Sequence, residues 1–245
     1  MSSLYIKAEN SNGRTVLSDC RFTSPLKIAK PFYRGEYTEI IMMVAGAGML
    51  EGDHYDISID VGENASLIFT GQSYTKLFKS EKSGSSQRVK INVQKNGKLL
   101  YFPRPVIPFA DSIYNAETEV RLDSGSEFAL CDIISCGRAA MNEKFLFKSY
   151  ISRTSVFVDE KLVFLDNVRL VPAEIPLAGT GFFEHYSHIG MMYIYRHDVA
   201  DIPEITETEA AVSKALNGIC IRAASNNADA LYTGFLNAVN IRPVQ

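Results

Sequence analysis

Asp132 is the residue whose chemistry the sequence constrains most tightly. Across residues 127–134, Phe128, Leu130, Asp132 and Ile134 share one parity, so on a strand a carboxylate stands in a row of large apolar side chains. Taking a carboxylate out of water without a partner is costly enough to neutralise it. Two arrangements satisfy it: an ion pair with nearby Arg138, or water in an internal passage. The pattern alone leaves both open. A second candidate set is Glu184-His185-Tyr186-Ser187-His188, with His197 beyond it, which a metal-dependent hydrolase would use if the imidazoles converged on one ion. On a strand, a spacing of three sends the rings to opposite faces, and no G-x-S-x-G elbow, H-E-x-x-H helix or P-loop accompanies them. A glycine-spaced turn, Gly46-Ala47-Gly48-Met49-Leu50-Glu51-Gly52, follows an apolar run at residues 40–45. It is one residue too long for a dinucleotide fingerprint. The alternation of residues 54–61 makes the next element a strand, with no helix N-terminus to receive phosphate.

Composition excludes whole classes of partner. The 245 residues carry a net charge of -3 and a pI near 5.9, so no basic field exists to hold nucleic acid or an anionic membrane. Cys20, Cys131, Cys136 and Cys220 lack C-x-x-C spacing, which suggests reduced thiols rather than a zinc site or disulfides. The N-terminus lacks the basic and apolar segments of a signal peptide, no stretch is long enough to cross a bilayer, and a cytoplasmic location is expected. A small-ligand or glycan module is the other non-enzymatic alternative, slightly disfavoured because tyrosines are plentiful but tryptophan is absent.

The elements that position these residues read as strands. Asn12-Gly13, Asn96-Gly97, Asp123-Ser124-Gly125 and Asp159-Glu160 each look like hairpin links between alternating segments. Tyr114, Ala116, Thr118, Val120 and Leu122 share one face of another strand. Ser80 to Gln87 reads as a loop, and no internal repeat of fixed period is visible. The expected fold is mainly β: packed antiparallel sheets forming one large body over residues 1–172, with a small α/β appendage over 173–245 in the same domain. A capping box at Thr206-Glu207-Thr208-Glu209 predicts a helix to about Leu216, and the spacing of Ala228, Leu231, Phe235 and Ala238 predicts a second.

Several words recur in a fixed order: Gly52-Asp53; the run from Phe69-Thr70-Gly71 through Thr75-Lys76-Leu77-Phe78; Tyr101-Phe102-Pro103-Arg104-Pro105; and Asp132-Ile133-Ile134-Ser135-Cys136-Gly137-Arg138 with Glu143 beyond. From Pro25-Leu26 through Pro31-Phe32 to Asp166 the chain resembles the UreD (UreH) family of urease accessory proteins. The resemblance implies a non-catalytic urease maturation factor. Such proteins act with the helical accessory protein UreF and the GTPase UreG to deliver nickel through an internal polar tunnel to apo-urease. Carried over by position, it marks Asp53, Thr75, Asp132 and Asp166 as tunnel residues. Gly52, Lys76, Gly137, Arg138 and Glu143 are motif positions, with Lys76 read as a counter-charge to Asp53 or Glu51. Asp53, Asp132 and His54 are expected to touch nickel weakly in transit, with no tightly bound cofactor. Gly71, Arg104 and the Ala139-Ala140-Met141-Asn142 word depart from the family pattern.

Overall fold

The computed structural model describes residues 1–195 and 208–240. Its strands in chain order are β1 (Ser2–Ser11), β2 (Arg14–Phe22), β3 (Leu26–Ile28), β4 (Phe32–Arg34), β5 (Tyr37–Val44), β6 (His54–Val61), β7 (Ser66–Gly71), β8 (Thr75–Leu77) and β9 (Ser85–Val93). They continue with β10 (Lys98–Phe102), β11 (Val106–Pro108), β12 (Ile113–Leu122), β13 (Glu127–Ser135), β14 (Ser149–Val158), β15 (Lys161–Leu170), β16 (His188–Tyr195), β17 (Glu209–Ala215) and β18 (Gly218–Ser225). The helix α1 (Ala228–Ala238) follows.

Two sheets result. The first runs β15-β14-β12-β9-β6-β1-β2, and the second runs β17-β18-β16-β13-β10-β7-β5-β3. The mainly β body of packed sheets is as expected, but the strand direction at its centre is not. β6, β9, β12 and β14 are parallel to one another, as are β5, β7, β10 and β13. The chain climbs as a flattened coil, laying one strand in each sheet per pass, so each sheet supplies the crossover that a parallel pair in the other requires. Antiparallel pairing is confined to the flanks, at β1–β2, β3–β5, β14–β15, β13–β16, β16–β18 and β17–β18 among others.

Backbone geometry shows why the turn dipeptides misled. A two-residue hairpin of type I′ needs positive φ at both central residues. Asn12 (54°) and Gly13 (79°) meet that, as do Asp159 (45°) and Glu160 (63°), and both pairs link antiparallel neighbours. At Asn96-Gly97 only the asparagine is left-handed, with φ 58°. Residues 94–97 form a corner that carries the chain from one sheet to the other. Residues 62–65 and 123–126 do the same, with Asn64 and Gly125 at the equivalent left-handed position. The corners stack: Asn96 donates to the Asn64 side chain at 3.2 Å, and Lys98 N–H donates to the Ala65 carbonyl at 2.8 Å. The opposite side of the coil is closed by longer returns at residues 72–84, 103–112 and 136–148. Because these returns and the second-sheet strands that precede them differ in length, Tyr55 sits beside Gln87, Gln87 beside Ala116 and Ala116 beside Ser152, steps of 32, 29 and 36 residues. A repeat exists, but without a constant period.

Two further expectations change. Glu209–Ala215, expected to be helical, is the exposed edge strand β17, paired with β18; residues 206 and 207 of the capping box lie outside the described residues. Tertiary pairing overrides the local helix signal there. The expected loop at Ser80 to Gln87 is shorter, since Ser85 already opens β9. The C-terminal strands extend the second sheet, and α1 covers its outer face. There Leu231, Tyr232, Phe235 and Leu236 bury against Ile68, Phe102, Ile133, Met192 and Ile221. Asn227 caps the helix by accepting from Asp229 N–H at 3.0 Å and Ala230 N–H at 3.2 Å. Phe235 is fully buried. Phe235→Ala is therefore expected to cost about 3–5 kcal/mol of stability, read from chemical denaturation. A loss below about 1 kcal/mol would mean that α1 does not hold this face.

Candidate functional site

Parallel stacking turns each inward position into a row running across the strands. On the first sheet, Ile59, Ile91, Val120 and Val156 form one such row, and Val61, Val93, Leu122 and Val158 the next. All are buried, and they pack against Leu67, Leu99 and Phe128 of the opposite sheet. Two rows nearer the long returns differ. One holds Gln87, Ala116 and Ser152 beside Tyr55, and the other holds Val89, Thr118 and Thr154 beside Ile57. Small and polar side chains do not fill the space that branched aliphatics fill, and the sheets there enclose a cavity of about 120 Å³. Met42, Gly71, Tyr101, Leu130 and Asp132 close it from the second sheet, with Tyr114 and Tyr150 from the first. Its mouth is formed by residues 46–49, Ser73 to Lys76, and Arg104. Gly48 is required there, because a Cβ would fall 2.4 Å from the Lys76 carbonyl oxygen.

A second, more open cavity of about 410 Å³ continues the slot between β15 and the β16–β18 edge. Asp166, Val168, Phe182, Glu184, Met191, Glu209 and Arg222 are among its lining residues. Asp132 borders both cavities.

Asp132 has no cationic partner among the described residues. Arg138, the nearby candidate, forms a two-bonded pair with Glu143 and lies over the Phe109 ring at 4.3 Å. The ion-pair alternative for Asp132 is thereby excluded. Its carboxylate instead accepts from Ser152 Oγ at 3.3 Å and is hydrogen-bonded by Tyr150. Burial first, then repulsion from Asp166, pushes its pKa up to about 6. Asp132 is enclosed by protein on all sides yet retains accessible surface, because that surface faces the cavities rather than bulk solvent. Asp166 is buried on β15 and bonded to Arg222 at 2.5 Å, an ion pair that crosses from one sheet to the other within the second cavity.

The remaining sequence candidates are dispersed. Thr75 lines the first cavity at its mouth. Asp53 lines neither cavity; its Oδ2 accepts Leu50 N–H at 2.8 Å and closes the turn containing Gly52. His54 faces outward, with Nδ1 2.8 Å from Ser86 Oγ. Lys76 stands exposed at the first mouth, and its expected counter-charges are occupied elsewhere. The N–H groups of Glu81, Lys82 and Ser83 bind the Glu51 carboxylate and hold its pKa at about 2, and the Asp53 carboxylate accepts the Leu50 N–H within its own turn. The counter-charge reading of Lys76 is therefore corrected. Gly137 packs against the Glu143 carbonyl, a contact a Cβ would block at 2.4 Å, so Gly137, Arg138 and Glu143 form one structural corner. His188 contacts Ser187 Oγ at 2.8 Å, and its pKa is lowered by burial, whereas His185 lies exposed against the Tyr186 ring. His197 lies outside the described residues. No group of three or more potential metal ligands occurs among the described residues. Gln87, Thr118, Ser152 and Thr154 were not singled out from sequence; polar residues at inward parity were the available signal.

A family model described as UreD urease accessory protein matches residues 2–243. The urease accessory protein UreD of Acetivibrio thermocellus is 34% identical over 242 residues, covering 94% of this chain and 92% of the relative. UreH of Helicobacter hepaticus is 30% identical, covering 94% of each chain. UreH of Helicobacter pylori strain G27 is 29% identical over 94% of this chain and 90% of its own.

Asp132 supplies a pH test. Its folded-state pKa lies above the unfolded value, so the folded protein binds that proton more tightly; the stabilisation is complete below about pH 4 and is lost as pH rises through about 6. Asp132→Asn is expected to raise the unfolding free energy at pH 7 by roughly 1–3 kcal/mol and to change it little near pH 4, measured by urea denaturation at both. An equal effect at the two pH values would contradict the shifted titration.

Proposed function

The chain belongs to the UreD family of urease accessory proteins, and from that premise we propose that it is a non-catalytic conduit passing Ni²⁺ to apo-urease. In this reading it works in the cytoplasm, in a complex with a UreF-like helical protein and a UreG-like GTPase. The observation that supports it is Asp132, whose carboxylate borders both cavities and is held by hydroxyls instead of a cation.

Nickel accepts oxygen ligands from carboxylates and water, and spaced oxygens hold it weakly enough to release it. Thiolates or convergent imidazoles would retain it. Cys131, Cys136 and Cys220 are buried, and burial raises each thiol's pKa, which keeps them protonated and poor as ligands. The two mouths differ in charge. Asp166, Glu184 and Glu209 line the second cavity with Arg222, which favours cations there. Lys76 and Arg104 line the first. Arg104 is engaged by the Gly71 carbonyl at 3.0 Å and the Tyr232 ring at 4.5 Å, with Asp229 at 4.0 Å, so its charge is partly offset. No helix among the described residues is long and apolar enough to cross a membrane.

The test is Asp132→Ala in cells expressing urease and its accessory proteins. The variant is expected to co-purify normally with the UreF-like partner while the nickel content of urease, measured by elemental analysis, falls severalfold. Normal nickel loading would reject Asp132 as a station on the path.

A further inference from the structure

The two sheets have unequal width at one flank. The first has seven strands and ends in β15, whereas the main path of the second runs through eight and ends in β17. Asp166 of β15 bonds Arg222 of β18, and Phe164 of β15 stacks on Tyr193 of β16 at 4.2 Å, so β15 faces β16 and β18. No strand among the described residues faces β17. Pairing with β18 puts Glu209, Ala211 and Ser213 on the inner face, in line with Arg222 and Cys220, and Ala210 and Val212 on the outer face, in line with Ala223 and Ile221. All five are exposed, whichever face they take. Room for one more strand is left beside β15, above the inner face of β17.

The edge that borders this room is open. β15 is ten residues long and pairs only with β14 among the described residues. Edges of that length are ordinarily blunted by proline or by outward charge. Between Leu162 and Val168, β15 has neither: its one charge there, Asp166, points inward to Arg222, while Leu162 and Leu165 are 47% and 48% exposed. The slot alongside, the second cavity of about 410 Å³, is lined with small side chains at Ala211, Ala223 and Ala224. Its charge is acidic in excess. Glu184 accepts the Gly181 N–H at 3.1 Å and Glu209 accepts the Tyr186 hydroxyl at 2.5 Å, and neither carboxylate meets a cation among the described residues. Arg222, the cation of the slot, is engaged by Asp166.

We propose that this flank is a strand-acceptor site: an extended segment of a partner protein pairs with the free edge of β15, covers the inner face of β17, and sets a lysine or arginine against the Glu184 and Glu209 carboxylates. Main-chain hydrogen bonds supply the affinity, and the acidic slot selects the side chain. Alternate side chains of the segment lie on the outward face beside Leu162 and Leu165, where apolar residues fit. Charge argues against a second copy of the chain as the occupant. The inward residues of another β15 are Phe164, Asp166 and Val168, which bring no free cation to the slot. The site goes beyond the conduit reading and does not rest on it, since what it receives is a protein segment.

The full chain is titrated, without nickel, into a fluorescein-labelled peptide of about eight residues that alternates lysine and valine, and fluorescence anisotropy is read at low ionic strength. Saturable binding at one site is expected. The same peptide with glutamate in place of lysine should not bind. Nor should the lysine peptide methylated on its backbone nitrogens, which keeps the charge and removes the pairing donors. Glu184→Gln with Glu209→Gln should weaken binding at least about tenfold, and Leu165→Ser by about two- to fivefold. Glutamine still accepts both hydrogen bonds and all three positions are exposed, so the fold is retained, which a urea midpoint verifies. Equal binding of the glutamate peptide, retained binding of the methylated one, an unchanged double variant, or no binding of the lysine peptide would each overturn the site. Dimerisation of the free chain that Leu165→Ser abolishes, read by sedimentation equilibrium, would overturn it in favour of a second copy. The nickel content of urease, which decides the conduit reading, is a separate measurement.

Discussion

In-register parallel stacking is the constraint from which the other features follow. When successive passes of a coil lie side by side, a choice of side chain at one inward position is copied into a row. Four aliphatics in line make a dry wall, and Gln87, Ala116 and Ser152 in line make a gap. A single polar residue in an antiparallel sandwich would be an isolated defect, satisfied locally or expelled. Here the defects align across β9, β12 and β14, and the void continues towards β15 and β18. Asp132 is tolerated in an apolar row because it stands where the rows on the facing sheet are polar.

That arrangement also decides how much was legible in advance. Alternation exposed nearly every long strand, since period two is a local property of the chain, and it placed Asp132 on the inward face. Direction was not legible. The Asn-Gly signal is shared by a hairpin and by the sheet-to-sheet corner at Asn96, and only the φ of the following glycine separates them. Varying return and strand lengths hid the repeat. The helix expected to end near Leu216 failed for a different reason: capping and propensity favour it locally, but β18 offers an unpaired edge, and the segment completes the sheet instead.

Resemblance and geometry contributed differently to the site. Resemblance singled out Asp53, Thr75, Asp132 and Asp166 without distinguishing their surroundings. In the fold they become a turn anchor, a mouth residue, a carboxylate shared by two cavities, and one half of an ion pair between sheets. Glu51 and Arg138 carry the same lesson. A residue of opposite charge looked like a candidate's partner, yet Glu51 is consumed by three backbone amides and Arg138 by Glu143. Arg138 lies beyond the end of β13 and Glu51 lies in a turn, so neither shares a strand face with the residue it was expected to pair.

The two rims of the coil have unequal freedom. Its four-residue corners lie stacked beside the aliphatic rows, where inserting even one residue would shift every pairing above it. The long returns hang beside the polar rows and vary in length from pass to pass. Segments 46–49, 73–76 and Arg104, which frame the first opening, all belong to that looser rim. Evolution can thus remodel the doorway by adding or trimming residues there while the load-carrying masonry stays untouched, so a lineage can refit its threshold to a new neighbour without refolding the house.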